Sequence, residues 1–117
     1  MKPADAAPKP PVALGSFGRA LWRDVLEAFE LHDPHHRAIL AEACRVRDEI
    51  ERTVETIAAE GEYVADRFQQ RRAHPAVAVL RDQRALLAKL LRELGLDGAA
   101  AAESRPPALR GRYVARP

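Results

Sequence analysis

A chain of 117 residues with a net charge of +2 has room for one domain, and its single cysteine, Cys44, excludes an internal disulfide. No apolar run is long enough to cross a bilayer and the N-terminus has no signal-peptide core, so neither membrane insertion nor export is expected. The charge is uneven: residues 1–61 carry 8 Lys and Arg against 11 Asp and Glu, net −3, and residues 62–117 carry 11 against 6, net +5, which points to an anionic partner for the C-terminal half, nucleic acid being the commonest.

Residues 1–13, MKPADAAPKPPVA, hold four prolines and little to bury, and read as a disordered Pro-rich arm. From Leu14 the pattern LGSFGRALWRDVLEAFEL predicts a helix over about 16–30, capped by Ser16, whose buried side is Phe17, Leu21, Trp22, Val25, Ala28 and Phe29. A Trp in register with other apolar residues is a core residue first.

The stretch from Asp33 to Gly61 predicts a second helix over 34–60. Asp33 is placed to cap it, Pro34 sits where a missing N–H costs nothing, and Gly61 supplies a left-handed stop. Its length is about 40 Å. Ile39, Ala43, Val46, Ile50, Val54 and Ile57 draw one apolar stripe along it, which requires an equally long partner. The other face alternates in charge, Arg45 with Glu49, Arg47 with Glu51 and Asp48 with Arg52, as a solvated face does. His32, His35 and His36 surround Asp33, but structural zinc takes four ligands and Cys44 lies two turns beyond His36, so no metal centre is expected.

Residues 62–74 are too short and charged for a core helix. Tyr63, Val64 and Phe68 suit a small hairpin or an extended arm, and Arg67, Arg71 and Arg72 cluster there beside aromatic residues, a composition fit for phosphate contact and stacking. A third helix is predicted over 75–94, opening at Pro75 and stopping at Gly95. Val77, Leu80, Leu87, Leu91 and Leu94 form its stripe, while Val79, Leu86 and Leu90 widen it beyond one partner and are candidates for an oligomer interface. Residues 97–117 read as a flexible basic tail in which Arg105, Arg110, Arg112 and Arg116 surround Tyr113, fit to dock on a partner or follow a phosphate backbone.

The expected class is therefore all-α: an N-terminal helix and a long antiparallel helical hairpin with a short extended or hairpin-like connector. Its expected core is Phe17, Leu21, Trp22, Val25, Phe29, Ile39, Val46, Ile50, Ile57, Leu80, Leu87 and Leu94. No phosphate-binding loop, HExxH helix or nucleophile elbow occurs, and the carboxylates are spread along charged faces, so a binding protein without cofactor is expected, not an enzyme.

The order LGSFGRALWRDVL, ELHDPHHRAILAEACRVRDEIE, AEGEYV and HPAVAVLRDQRALLAKLLRELGL, over residues 14–96, resembles the small subunit of tailed-bacteriophage terminases. The resemblance rests on the LW pair of the first helix, the EG stop before a short connector, the HP start of the last helix and its LGL end. His74 stands where members commonly have Asn, the connector DRFQQRR lacks the usual glycine turn, and the Thr-Pro and Ser-Arg closing run is absent after LGL. The resemblance implies a helical subunit that assembles into a homo-oligomeric ring, recognises viral double-stranded DNA, and delivers it to the large subunit that holds the ATPase and nuclease. It implies work in the host bacterial cytoplasm and no place in the mature virion. On charge and family role, Arg67, Arg71 and Arg72 are the first candidates for DNA contact and Arg105, Arg110, Arg112 and Arg116 the second. Two other classes fit the residues alone: a small helical DNA-binding transcriptional regulator, and a structural adaptor that never touches nucleic acid.

Overall fold

The structure, a computed structural model, describes residues 8–96 and 108–109. In chain order these form α1 (Ser16–Ala28), β1 (Phe29–Glu30), α2 (Pro34–Glu60), β2 (Tyr63–Ala65), β3 (Arg71–Ala73), α3 (Pro75–Leu94) and β4 (Ala108–Leu109). Local chemistry accounts for the ends of α2 and α3. Asp33 accepts the His35 N–H at 2.9 Å, with Pro34 in the first turn. Gly61 ends α2 with φ 87° and ψ 159°, a positive-φ conformation outside the left-handed helical region expected for it, and its N–H still donates to the Ile57 carbonyl at 2.7 Å. Gly95 stops α3 in the left-handed helical region.

Helix α1 departs from its expected span and cap. It ends at Ala28, not near residue 30, because Phe29 is extended and Phe29–Glu30 pairs antiparallel with Ala108–Leu109. At its start Ser16 offers no cap. The N-cap is Gly15, and the missing acceptor comes from α2: Asp48 takes the Gly15 N–H on Oδ2 at 2.7 Å and the Gly18 N–H on Oδ1 at 2.8 Å. Asp48 is buried, so it does not belong to the wet face with Arg52; its charge sits where the helix dipole favours an anion. Gly18 permits the close crossing. A Cβ there would lie 2.4 Å from Asp48 Oδ2 and 2.7 Å from the Cys44 carbonyl oxygen.

The core follows from that crossing. Leu40 and Cys44, one turn apart on the line that continues to Asp48, meet Leu14, Trp22, Val25, Leu26, Leu31 and Leu94, with Leu21, Phe29, Ile39, Ala41, Leu91 and Leu96 packed at the edge. Ala43, Val46 and Ile50 are also buried, on the neighbouring stripe of α2. Phe17, expected in the core, is 44% exposed: Gly18 takes the position against α2, which turns Phe17 to the rim, where the Arg47 guanidinium covers its ring at 4.8 Å. Ala28 is exposed as well. Ile57, Leu80 and Leu87 are only half-buried, since α1 does not reach that end of the α2–α3 pair. Residues 8–13 run beside α1, and the Pro8 carbonyl accepts the Trp22 indole N–H at 3.0 Å. The molecule measures 64 × 37 × 19 Å, with a radius of gyration of 18.3 Å. A compact domain of this length would have about 13 Å, so the helices are drawn out along one axis and not gathered around one central core.

Candidate nucleic-acid interface

At the end of the α2–α3 pair remote from α1, the connector folds into a two-stranded antiparallel hairpin. Its register is Tyr63↔Ala73, Val64↔Arg72 and Ala65↔Arg71. Directly paired residues share a face, so Tyr63, Ala65, Arg71 and Ala73 line the outer face, and Val64, half-buried, shares the inner face with Arg72. The base is tied to both helices through His74. Its N–H donates to the Glu62 carbonyl at 2.7 Å, its Nδ1 accepts the Ala76 N–H at 2.9 Å as the cap of α3, and its Nε2 lies 2.6 Å from Glu60 Oε1. Since Nδ1 accepts, the ring proton sits on Nε2 and donates to Glu60. This is the chemistry His74 brings to the position before Pro75.

Asp66 organises the tip. Its Oδ1 accepts the Phe68 N–H at 2.8 Å and the Gln70 N–H at 3.0 Å, its Oδ2 accepts Arg72 Nε at 2.6 Å, and its own N–H donates to the Gln70 carbonyl at 2.9 Å. These bonds, the Arg72 one first, hold its carboxyl below the ordinary value of 3.8. Gln69 adopts φ 65°, the left-handed residue that closes the turn without a glycine. The three arginines expected to contact DNA are thus brought together on one exposed element, each beside a partner: Arg72 on Asp66, Arg71 with its guanidinium 4.5 Å from the Tyr63 ring centre, and Arg67 5.0 Å from that of Phe68. Tyr63 and Phe68 are 55% and 67% exposed. Asp66 is not among the residues that the sequence singles out; the signal was an Asp opening a short loop, the residue whose side chain makes an Asx-turn.

The other candidates fall elsewhere. Arg105, Arg110, Arg112 and Arg116 lie outside the described residues. Val79, Gln83, Leu86 and Leu90 follow one another along a single line of α3; Val79 and Leu86 are exposed and Leu90 is half-buried. Between Ala76, Val79 and Gln83 of α3 and Glu49, Arg52, Thr53 and Thr56 of α2 runs an open groove of about 220 Å³, and the buried Gln83 Oε1 in its wall has no hydrogen-bond partner. Near Asp33 the histidines do not converge. His32 pairs with Glu30 at 3.0 Å, the His35 and His36 rings are 5.7 Å apart, and among the described residues no three His, Cys, Asp or Glu side chains are arranged to hold a metal ion. No described helix is long and apolar enough to cross a membrane.

Fold and site define a small all-helical subunit with an arginine-bearing hairpin at one end. A family model described as phage terminase, small subunit, matches residues 18–108, and the chain belongs to that family. No curated protein and no solved structure matches it. Membership makes it the smaller partner in viral DNA packaging, beside a large subunit.

Proposed function

We propose that this terminase small subunit is a homo-oligomeric, non-enzymatic DNA-binding protein that recognises viral double-stranded DNA in the host bacterial cytoplasm and delivers it to the large subunit, which supplies ATPase and nuclease. The observation that carries the reading is the fixed hairpin, which presents Arg67, Arg71 and Arg72 at the free end of two long helices. One such hairpin binds weakly. Copies arranged in a ring multiply the same contact through effective concentration, so modest charge per chain becomes strong, salt-sensitive binding.

The exposed Val79 and Leu86 and the half-buried Leu90, with the unsatisfied Gln83 oxygen among them, support self-association through α3. Arg105, Arg110, Arg112 and Arg116 serve as a second phosphate-binding set. Replacing Arg67, Arg71 and Arg72 by Ala is expected to weaken binding to any duplex and to flatten the dependence of log affinity on log salt by about one unit for each phosphate no longer neutralised. Wild-type affinity and slope in that variant would remove the hairpin from the interface. Light scattering with and without DNA tests the assembly, and a stable monomer under both conditions would refute the ring.

A further inference from the structure

We propose that the hairpin binds from inside the major groove, with the Tyr63 and Phe68 rings touching nucleotides, Arg67 and Arg71 supplying the ionic contacts, and Arg72 remaining an internal brace. This rests on the DNA-binding reading above and adds which residues touch the duplex and how.

Two large rings stand exposed on an element whose other outer-face residues are Ala65, Arg71 and Ala73, so no apolar side chain of that face covers them. Each ring is already stacked with a guanidinium, at 4.5 Å for Arg71 on Tyr63 and 5.0 Å for Arg67 on Phe68. That pairing selects the ligand. A protein pocket that accepted the rings would have to strip water from the two cations beside them. The major groove of a duplex offers base edges and thymine methyls to the rings and flanking phosphates to the guanidiniums at once.

Register and bonding separate the arginines. Arg71 shares the outer face with Tyr63, and Arg67 stacks on Phe68 at the tip. Arg72 lies on the inner face with Val64, and its Nε is committed to Asp66 at 2.6 Å. The hydrogen bonds converging on Asp66 fix the tip before any ligand arrives, so little conformational entropy is lost on docking. A two-stranded ribbon fits the major groove, about 12 Å wide, and not the minor groove, about 6 Å wide.

The test uses the full chain and a short mixed-sequence duplex in which bromodeoxyuridine replaces thymidine, placing the bromine where the thymine methyl lines the major groove. Tyr63→Ala and Phe68→Ala, which remove contacts to base edges and thymine methyls in the groove, are each expected to lower affinity about tenfold with the salt slope unchanged. Arg67→Ala with Arg71→Ala is expected to flatten the slope by about two units, while Arg72→Gln, which removes the charge and keeps an N–H donor for Asp66, leaves it unchanged. Irradiation is expected to crosslink the wild-type chain at Tyr63 or Phe68. Both rings are exposed, so their removal should leave the helical circular dichroism intact; if Phe68→Ala disturbs it, Phe68→Leu must show the same loss of binding. Wild-type affinity in the ring variants, with a flattened slope in the double arginine variant, would overturn this inference and leave the hairpin as the DNA site. Unchanged binding in every variant would overturn both.

Discussion

Replacing Asp48 by Ala removes, among the described residues, the only side chain that caps α1. Each N–H bond to a carboxylate is worth about 1.5–3 kcal/mol. Gly15 is exposed and its amide can recover water, so its loss falls at the low end; Gly18 is buried and its loss falls at the high end. After returning part of the carboxylate's desolvation, the net cost is about 3 kcal/mol, or about 15 °C in Tm for a domain of this size. Gly18→Ala supplies a second sign. In an ordinary helix it stabilises by about 1 kcal/mol, but here the new Cβ would sit 2.4 Å from Asp48 Oδ2, so it should destabilise. Urea unfolding at fixed protein concentration, followed by circular dichroism and by Trp22 fluorescence, measures both. Asp82→Ala on the open face of α3 is the control, expected within about 0.5 kcal/mol of wild type. If Asp48→Ala proved as mild as the control, or Gly18→Ala raised stability, the remote cap would not be what seats α1 on α2.

Val79→Asp with Leu86→Asp should shift the particle mass by light scattering toward the monomer without loss of helix signal, because both side chains are exposed within one chain; an unchanged mass would place the subunit boundary elsewhere. Burial first, then the Asp48 charge, pushes the Cys44 thiol up to about 12. It should therefore resist thiol reagents in the folded protein at pH 8, and fast labelling there would contradict the buried site. The same shift favours folding below the ordinary thiol value of 9.0, a contribution that disappears as pH rises toward about 12. Asp66 has the opposite sign: its lowered value means that its support of the hairpin is complete above 3.8 and is lost only as pH falls below that. A carboxyl NMR titration with a midpoint at or above 3.8 would show that the tip bonds do not persist in solution.

What was legible in the sequence was what is written locally. The Asp33–Pro34 start, the Gly61 stop and the Pro75–Gly95 limits fall where α2 and α3 begin and end, because caps, proline and glycine act within one turn of the residues they govern. The Ile39-to-Ile57 stripe could be read because its period is that of the helix that bears it. Helix α1 could not be read so well. Its cap comes from a residue 33 positions away, and two glycines at its start say only that something approaches closely. Asp48 reads as one more charge on a wet face, since its neighbours Arg47 and Glu51 do pair there at 2.7 Å. Phe17 lies at the rim for the same reason, and the extended pair at Phe29–Glu30 depends on a partner strand at the far end of the chain. At the candidate site the clustering of arginines with aromatics was visible in advance; the carboxylate of Asp66 that sorts them was not.

The buried layers all lie toward one end. Beyond Ile50, α2 has no buried residue, and α3 has none before Leu94. The outer part of the two helices is thus a cantilever rooted in the three-helix end. From Ile50 the remaining turns of α2 and the hairpin reach about 25 Å. A tilt of about 10° at the root would carry the arginines about 4 Å, close to the rise of about 3.4 Å between successive nucleotides. The tip is held within itself by Asp66 and His74, while its support beyond Ile50 buries no side chain within one chain before Leu94. In the proposed ring, tips displaced by such a tilt would each reach the nearest phosphates of a helix whose symmetry does not match that of the ring.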